Sequence, residues 1–88
     1  MFDIYLSTEV QKFHKKIKNE KLKKILSECY EALKEEPFQG SNIRKMVGQL
    51  KGLYRYRKGN LRIVYEVLKE KKIVYIKVID DRKNIYKK

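Results

Sequence analysis

The chain has 88 residues, a single cysteine and a formal net charge of +12. That length gives one domain with one core over residues 1–88. The lone Cys29 forms no internal disulfide, no window approaches the roughly 20 apolar residues of a membrane span, and Met1 to Leu6 is too short for a signal peptide. A soluble cytoplasmic protein is expected. Residues 43–88 hold 15 Lys and Arg against 4 Asp and Glu, so +11 of the +12 lies in that half. Charge collected on one half fits one cationic face, and the partner it implies is a polyanion.

In chain order, Phe2, Ile4 and Leu6 alternate with Asp3 and Tyr5, the period of a half-buried strand. Thr8 with Gln11 three residues on predicts a capping box, and Val10, Phe13 and Ile17 then recur at helical spacing. Asn19 marks the turn. Leu22, Ile25, Leu26, Cys29 and Leu33 make one apolar stripe of a second helix, which Pro37 stops before the loop at Gly40-Ser41-Asn42. From Ile43 to Lys51 the pattern is ambiguous between a helical turn and an irregular lead-in. Three strands follow at about residues 53–57, 61–68 and 73–79, the last two separated by the polar turn Lys69-Glu70-Lys71-Lys72. The predicted fold class is α+β: an N-terminal strand, a helical hairpin, then an antiparallel β-meander packed on the helices, with the other sheet face free for a ligand.

The most informative segment is Leu53 to Tyr65, which holds four cations and three tyrosines around Lys58-Gly59-Asn60. Side chains alternate along a strand, so Arg55 and Arg57 project from one face and Arg62, just past the turn, can join them. The segment reads as a surface that holds phosphate. Tyr54 through Tyr65 spells YRxRxGxxRxxY, and Arg82 through Tyr86 spells RxxxY. With the strand, helical hairpin and loop before them, these motifs make the whole chain resemble the RelE/ParE toxin superfamily.

The resemblance implies a type II toxin-antitoxin toxin with a RelE-like two-layer fold. RelE-type members enter the ribosomal A site and cut messenger RNA, whereas ParE-type members poison DNA gyrase. Carried over by position, the RelE site falls on Arg55, Arg57, Arg62, Arg82 and Tyr86, which favours the RNase branch. Metal-free RNA cleavage must deprotonate a ribose 2′-OH, stabilise negative charge on the phosphorus oxygens and protonate the leaving 5′-oxygen. Guanidiniums suit the second task, because each offers a planar fork of donors to phosphate. Tyr86 suits base stacking or orientation of the 2′-OH. Arginine is a poor proton acceptor. The best-known RelE site has lysines where this chain has Arg55 and Arg57, and many relatives carry histidine where this chain has Asp81. The general base therefore stays open among Lys58, Tyr86, Asp80 and Asp81.

Tyr54, Tyr56 and Tyr65 suit cross-strand packing better than base stacking. Tyr54 is still kept, with Lys51, Lys58 and Lys83, as an RNA contact. His14 and Cys29 read as structural, and the helix lysines as a solvated face with a secondary role on ribosomal RNA. One histidine and one cysteine far apart offer no metal-ligand spacing, and no phosphate-cradling glycine motif appears, so no cofactor is expected. The partners implied are messenger RNA on the ribosome and a cognate antitoxin, acidic, amphipathic and helical, in a hetero-oligomer. A gyrase-poisoning toxin and a noncatalytic nucleic-acid-binding module are the alternatives.

Overall fold

β1 (Asp3–Leu6) opens the chain, with Asp3 and Tyr5 exposed and Ile4 and Leu6 turned to the core. The computed structural model describes residues 1–48 and 52–81. α1 (Thr8–Lys16) begins one residue earlier than the expected capping box. Its cap is Ser7, whose Oγ accepts from the Val10 amide at 3.2 Å and donates to the Lys77 carbonyl at 2.9 Å. The Ser7 amide already donates a hydrogen bond to the Ile76 carbonyl, and Gln11 Nε2 donates to the Leu6 carbonyl instead. Asn19 caps α2 (Glu20–Glu35) by accepting from the Lys21 and Leu22 amides, and Leu26, Cys29 and Leu33 are its buried stripe. Pro37 lies just past the helix end, as expected of a residue without an amide donor.

Four antiparallel strands follow: β2 (Ile43–Lys45), β3 (Leu53–Lys58), β4 (Leu61–Leu68) and β5 (Ile73–Asp81). The stretch that was ambiguous in sequence thus begins as an edge strand. Three residues are too few to show a period, and their pairing with β3 identifies them. The sheet order is β1-β5-β4-β3-β2, with β1 parallel to β5. Gly59 takes a φ of 59° at the first position of the two-residue β3–β4 turn, the left-handed region that glycine enters without strain. A 3-10 turn over Lys69–Lys71 and a left-handed Lys72 join β4 to β5.

One face of the sheet supplies Tyr56, Leu61, Ile63, Tyr65, Val74, Ile76 and Ile79 to a core completed by Val10, Ile17, Leu26, Cys29 and Leu33. This is the RelE-like α+β arrangement of one sheet on one helical layer. Both helices contribute their buried residues to this face, so the opposite face is left to carry polar side chains. A bulge in β5 decides which residues reach it. The register shifts between Val64 and Tyr65, leaving Lys77 as the extra residue. Val74 and Ile76 point to the core before the bulge and Ile79 after it, so Asp80 lies on the open face. Among the described residues, no helix is long and apolar enough to cross a membrane.

Candidate active site: an arginine face

Alternation along β3 sends Arg55 and Arg57 to the open face and Tyr54, Tyr56 and Lys58 to the helix side. The register then assembles two rows across the strands. Arg44 on β2 is opposite Arg55, which is opposite Val64; Arg57 is opposite Arg62, which is opposite Asp80. Four guanidiniums therefore gather on the half of the open face nearest the Gly59-Asn60 turn. Ser41, Asn42, Arg44, Arg55, Arg57 and Gly59 line a polar groove of about 320 Å³ at the sheet edge.

Directly opposed like charges destabilise a sheet. Among the described residues, none of Arg44, Arg55, Arg57 and Arg62 has an ion-pair partner. Arg55 Nε, Arg62 Nε and Asp80 Oδ1 are shut away from solvent with no hydrogen-bond partner among the described residues. Each such group costs about 1–3 kcal/mol, so this arrangement of side chains is not one that stability alone would favour. An anion with several acceptor oxygens is complementary to the arginine donors of this face, and phosphate matches the guanidinium fork best, whereas Asp80 Oδ1 is an acceptor.

Arg55, Arg57 and Arg62 are thus brought together on one face. Lys58 and Tyr54, expected beside them as RNA contacts, are not. Lys58 Nζ lies 3.8 Å from Glu28 Oε1 on α2. Tyr54 stacks on Tyr65 at 5.7 Å between centroids and meets the Phe38 ring edge-on at 5.8 Å. Both are placed by strand parity, which in a six-residue strand sends adjacent cations to opposite faces. Arg82, Tyr86, Lys51 and Lys83 lie outside the described residues. Arg44 is the residue that sequence reasoning missed. Its signal was the placement of Arg44 between Asn42 and Lys45 beside one apolar residue, Ile43, which shows its face only once β2 is paired.

The other reactive side chains lie elsewhere. Cys29 is in the core, where burial raises its thiol pKa, opposed in part by nearby Lys58. His14 Nε2 is 2.6 Å from Tyr30 Oη between the two helices, and burial lowers its pKa. Among the described residues, no three His, Cys, Asp or Glu side chains cluster as metal ligands.

The helices back one face of the sheet, and the other carries arginines opposed across the strands with no ion-pair partner among the described residues. Residues 4–86 match the family of the ParE toxin of type II toxin-antitoxin systems, parDE, and the chain belongs to that family. It is accordingly a toxin of the RelE/ParE superfamily. No curated protein matches the sequence. Solved structures share the fold. The toxin-antitoxin complex RelBE2 from Mycobacterium tuberculosis aligns with a TM-score of 0.78 at 21% identity, covering 92% of this chain and 98% of that one. The YoeB-YefM complex from Staphylococcus aureus gives 0.75 at 21%, covering 91% and 95%. The archaeal RelE-RelB complex from Pyrococcus horikoshii gives 0.72 at 24%, covering 92% and 94%.

Proposed function

We propose that this toxin is a ribosome-dependent endoribonuclease that cuts messenger RNA in the ribosomal A site and is silenced by a cognate antitoxin. The observation that carries the reading is the set of four guanidiniums on one open sheet face with no carboxylate paired to any of them among the described residues. A phosphodiester passing through a five-coordinate state gains negative charge on its non-bridging oxygens. Donors already fixed around that position stabilise the charge without reorganising. Arg55, Arg57 and Arg62 fill this role, and Arg82 and Tyr86 complete the set that the family resemblance implies. The chemistry uses the chain's own side chains and the substrate's 2′-OH.

The antitoxin is expected to be acidic and amphipathic, because a cationic sheet face is neutralised by an acidic segment lying over it. The fold relatives named above were solved as toxin-antitoxin complexes, which supports that partner. A second reading has a specific basis, since the matched family is described by the parDE system. A ParE-type toxin would bind DNA gyrase, and the arginine face would then be a protein-binding surface. Induction in cells with mapping of messenger RNA 5′ ends separates the two, beside an Arg55→Ala, Arg62→Ala control. Cuts within translated codons that vanish in the control support the RNase. Growth arrest with intact messages, accompanied by gyrase-dependent DNA breaks, supports the second reading.

A further inference from the structure

We infer that Asp80 is the catalytic base that takes the proton from the ribose 2′-OH, an inference that rests on the endoribonuclease reading. RNA cleavage needs a proton acceptor, and a surface of arginines has none. Asp80 is the acceptor placed among them. It is opposite Arg62, which is opposite Arg57, so the carboxyl group ends a row that begins with two guanidiniums. The β5 bulge puts it there, because strict alternation would have turned it into the core with Val74 and Ile76.

Two further facts separate Asp80 from an ordinary counter-ion. It forms no ion pair with Arg62, and among the described residues its Oδ1 is shut away from solvent without a hydrogen-bond partner, as is Arg62 Nε. A carboxylate serving only to balance Arg62 would pair with it. Among the described residues, the other acids on this face are Glu66, two rows away with Lys77 Nζ at 3.8 Å, and Asp3, on the β1 edge opposite Ile73 at the far end of β5. Asp81 follows on the opposite parity, opposite Leu61 on the core side. Among the described residues, the charged groups in the same row as Asp80 are Arg62 and, beyond it, Arg57.

In the step assigned to it, the Asp80 carboxylate accepts the 2′-OH proton as the 2′-oxygen bonds to phosphorus. The bond from phosphorus to the 5′-oxygen breaks, and the departing oxygen takes a proton from water. The products are a 2′,3′-cyclic phosphate and a 5′-hydroxyl. The arginines hold the charge while the carboxylate moves the proton, so binding and chemistry are divided between the two ends of the row.

The test uses the full chain with programmed ribosomes. Single-turnover cutting of an A-site codon is measured for wild type, Asp80→Asn and Asp80→Glu, and binding is measured on the same message carrying a 2′-O-methyl group at the cut position. Removing a negative charge beside phosphate leaves binding equal or tighter. Loss of the base slows cutting by about 100-fold or more, the usual range for general acid–base catalysis, and Asp80→Glu restores part of the rate. That split supports the assignment. Asp80→Asn that cuts at the wild-type rate or faster overturns it while leaving the RNase reading intact. So does a loss of binding in proportion to the loss of rate, which would make Asp80 structural. A wild-type chain that binds the programmed ribosome but cuts nothing overturns the RNase reading itself, and Asp80 with it.

Discussion

Arg57 stands directly across the β3–β4 ladder from Arg62, and neither guanidinium has an ion-pair partner among the described residues. Opposed like charges in a ladder are unfavourable by a few tenths to about 1 kcal/mol, and a β-branched residue suits the strand better than arginine. Arg57→Thr is therefore expected to raise stability by up to about 1 kcal/mol in urea unfolding while weakening toxicity. That outcome would set function against stability at this pair. An Arg57→Thr chain that is less stable than wild type would show that the two guanidiniums are compensated in a way this register does not reveal.

The sheet's parity sharpens this to neighbouring residues. Arg57 and Lys58 are adjacent cations, one on the open face and one facing Glu28 on α2. Arg57→Ala should abolish most growth arrest. Lys58→Ala should leave it near wild type and change stability by less than about 1 kcal/mol, the usual worth of an exposed ion pair. Quantified arrest after equal expression of the two variants checks it. Equal losses would mean that total charge matters and the face does not.

Most of the architecture was legible from the sequence because its signals are local. The Leu22-to-Leu33 stripe, Pro37 and the turn read at Lys58-Gly59-Asn60 each act within a few residues, and the structure differs only in drawing Lys58 into β3 and leaving Gly59-Asn60 as the turn. Arg55, Arg57 and Arg62 were readable as a set because side chains alternate along a strand and Arg62 comes just past the turn, and the hairpin register pairs Arg57 with Arg62. What was not legible depends on contacts between distant segments. β2 is a strand only by pairing with β3, so Arg44 could not be joined to Arg55 beforehand. The choice between Asp80 and Asp81 turns on a bulge at Lys77, which a period-2 reading passes over. The helix cap moved from Thr8 to Ser7 because Ser7 is held by β5, some 70 residues away.

Beneath the arginine face, Tyr65 ties the sheet to the end of the helical hairpin. Its hydroxyl donates to the Pro37 carbonyl at 2.8 Å, and both residues are fully buried. Tyr65→Phe would leave that carbonyl unsatisfied, so a loss of about 1–3 kcal/mol is expected in urea unfolding. The loss should depend on pH in one direction. Burial raises the Tyr65 pKa above its ordinary 10.0, with Tyr54, Tyr56 and Glu36 adding to the effect. A raised pKa means that the contribution is complete below about pH 10 and declines at higher pH, as the unfolded chain ionises first. The difference between wild type and Tyr65→Phe should therefore be constant from pH 7 to 9 and shrink above 10.

The helix pair carries the opposite dependence at His14. Burial lowers its pKa from 6.5, and its Nε2 is 2.6 Å from Tyr30 Oη. Burial also raises the Tyr30 pKa, with Cys29 adding to it, so the phenol stays protonated and donates to a neutral imidazole. Protonating His14 would replace that acceptor with a second donor. The folded state thus binds this proton less readily than the unfolded chain does. Its contribution is complete above about pH 6.5 and is lost as pH falls below that value, at no more than about 1.4 kcal/mol per pH unit for one proton. Carboxylates ordinarily titrate near pH 4, which leaves the window from pH 7.5 to 5.5 mainly to the single histidine. Urea midpoints measured across that window should fall for wild type and stay flatter for His14→Gln. Parallel slopes in the two chains would remove His14 from the account and place the acid sensitivity among the carboxylates.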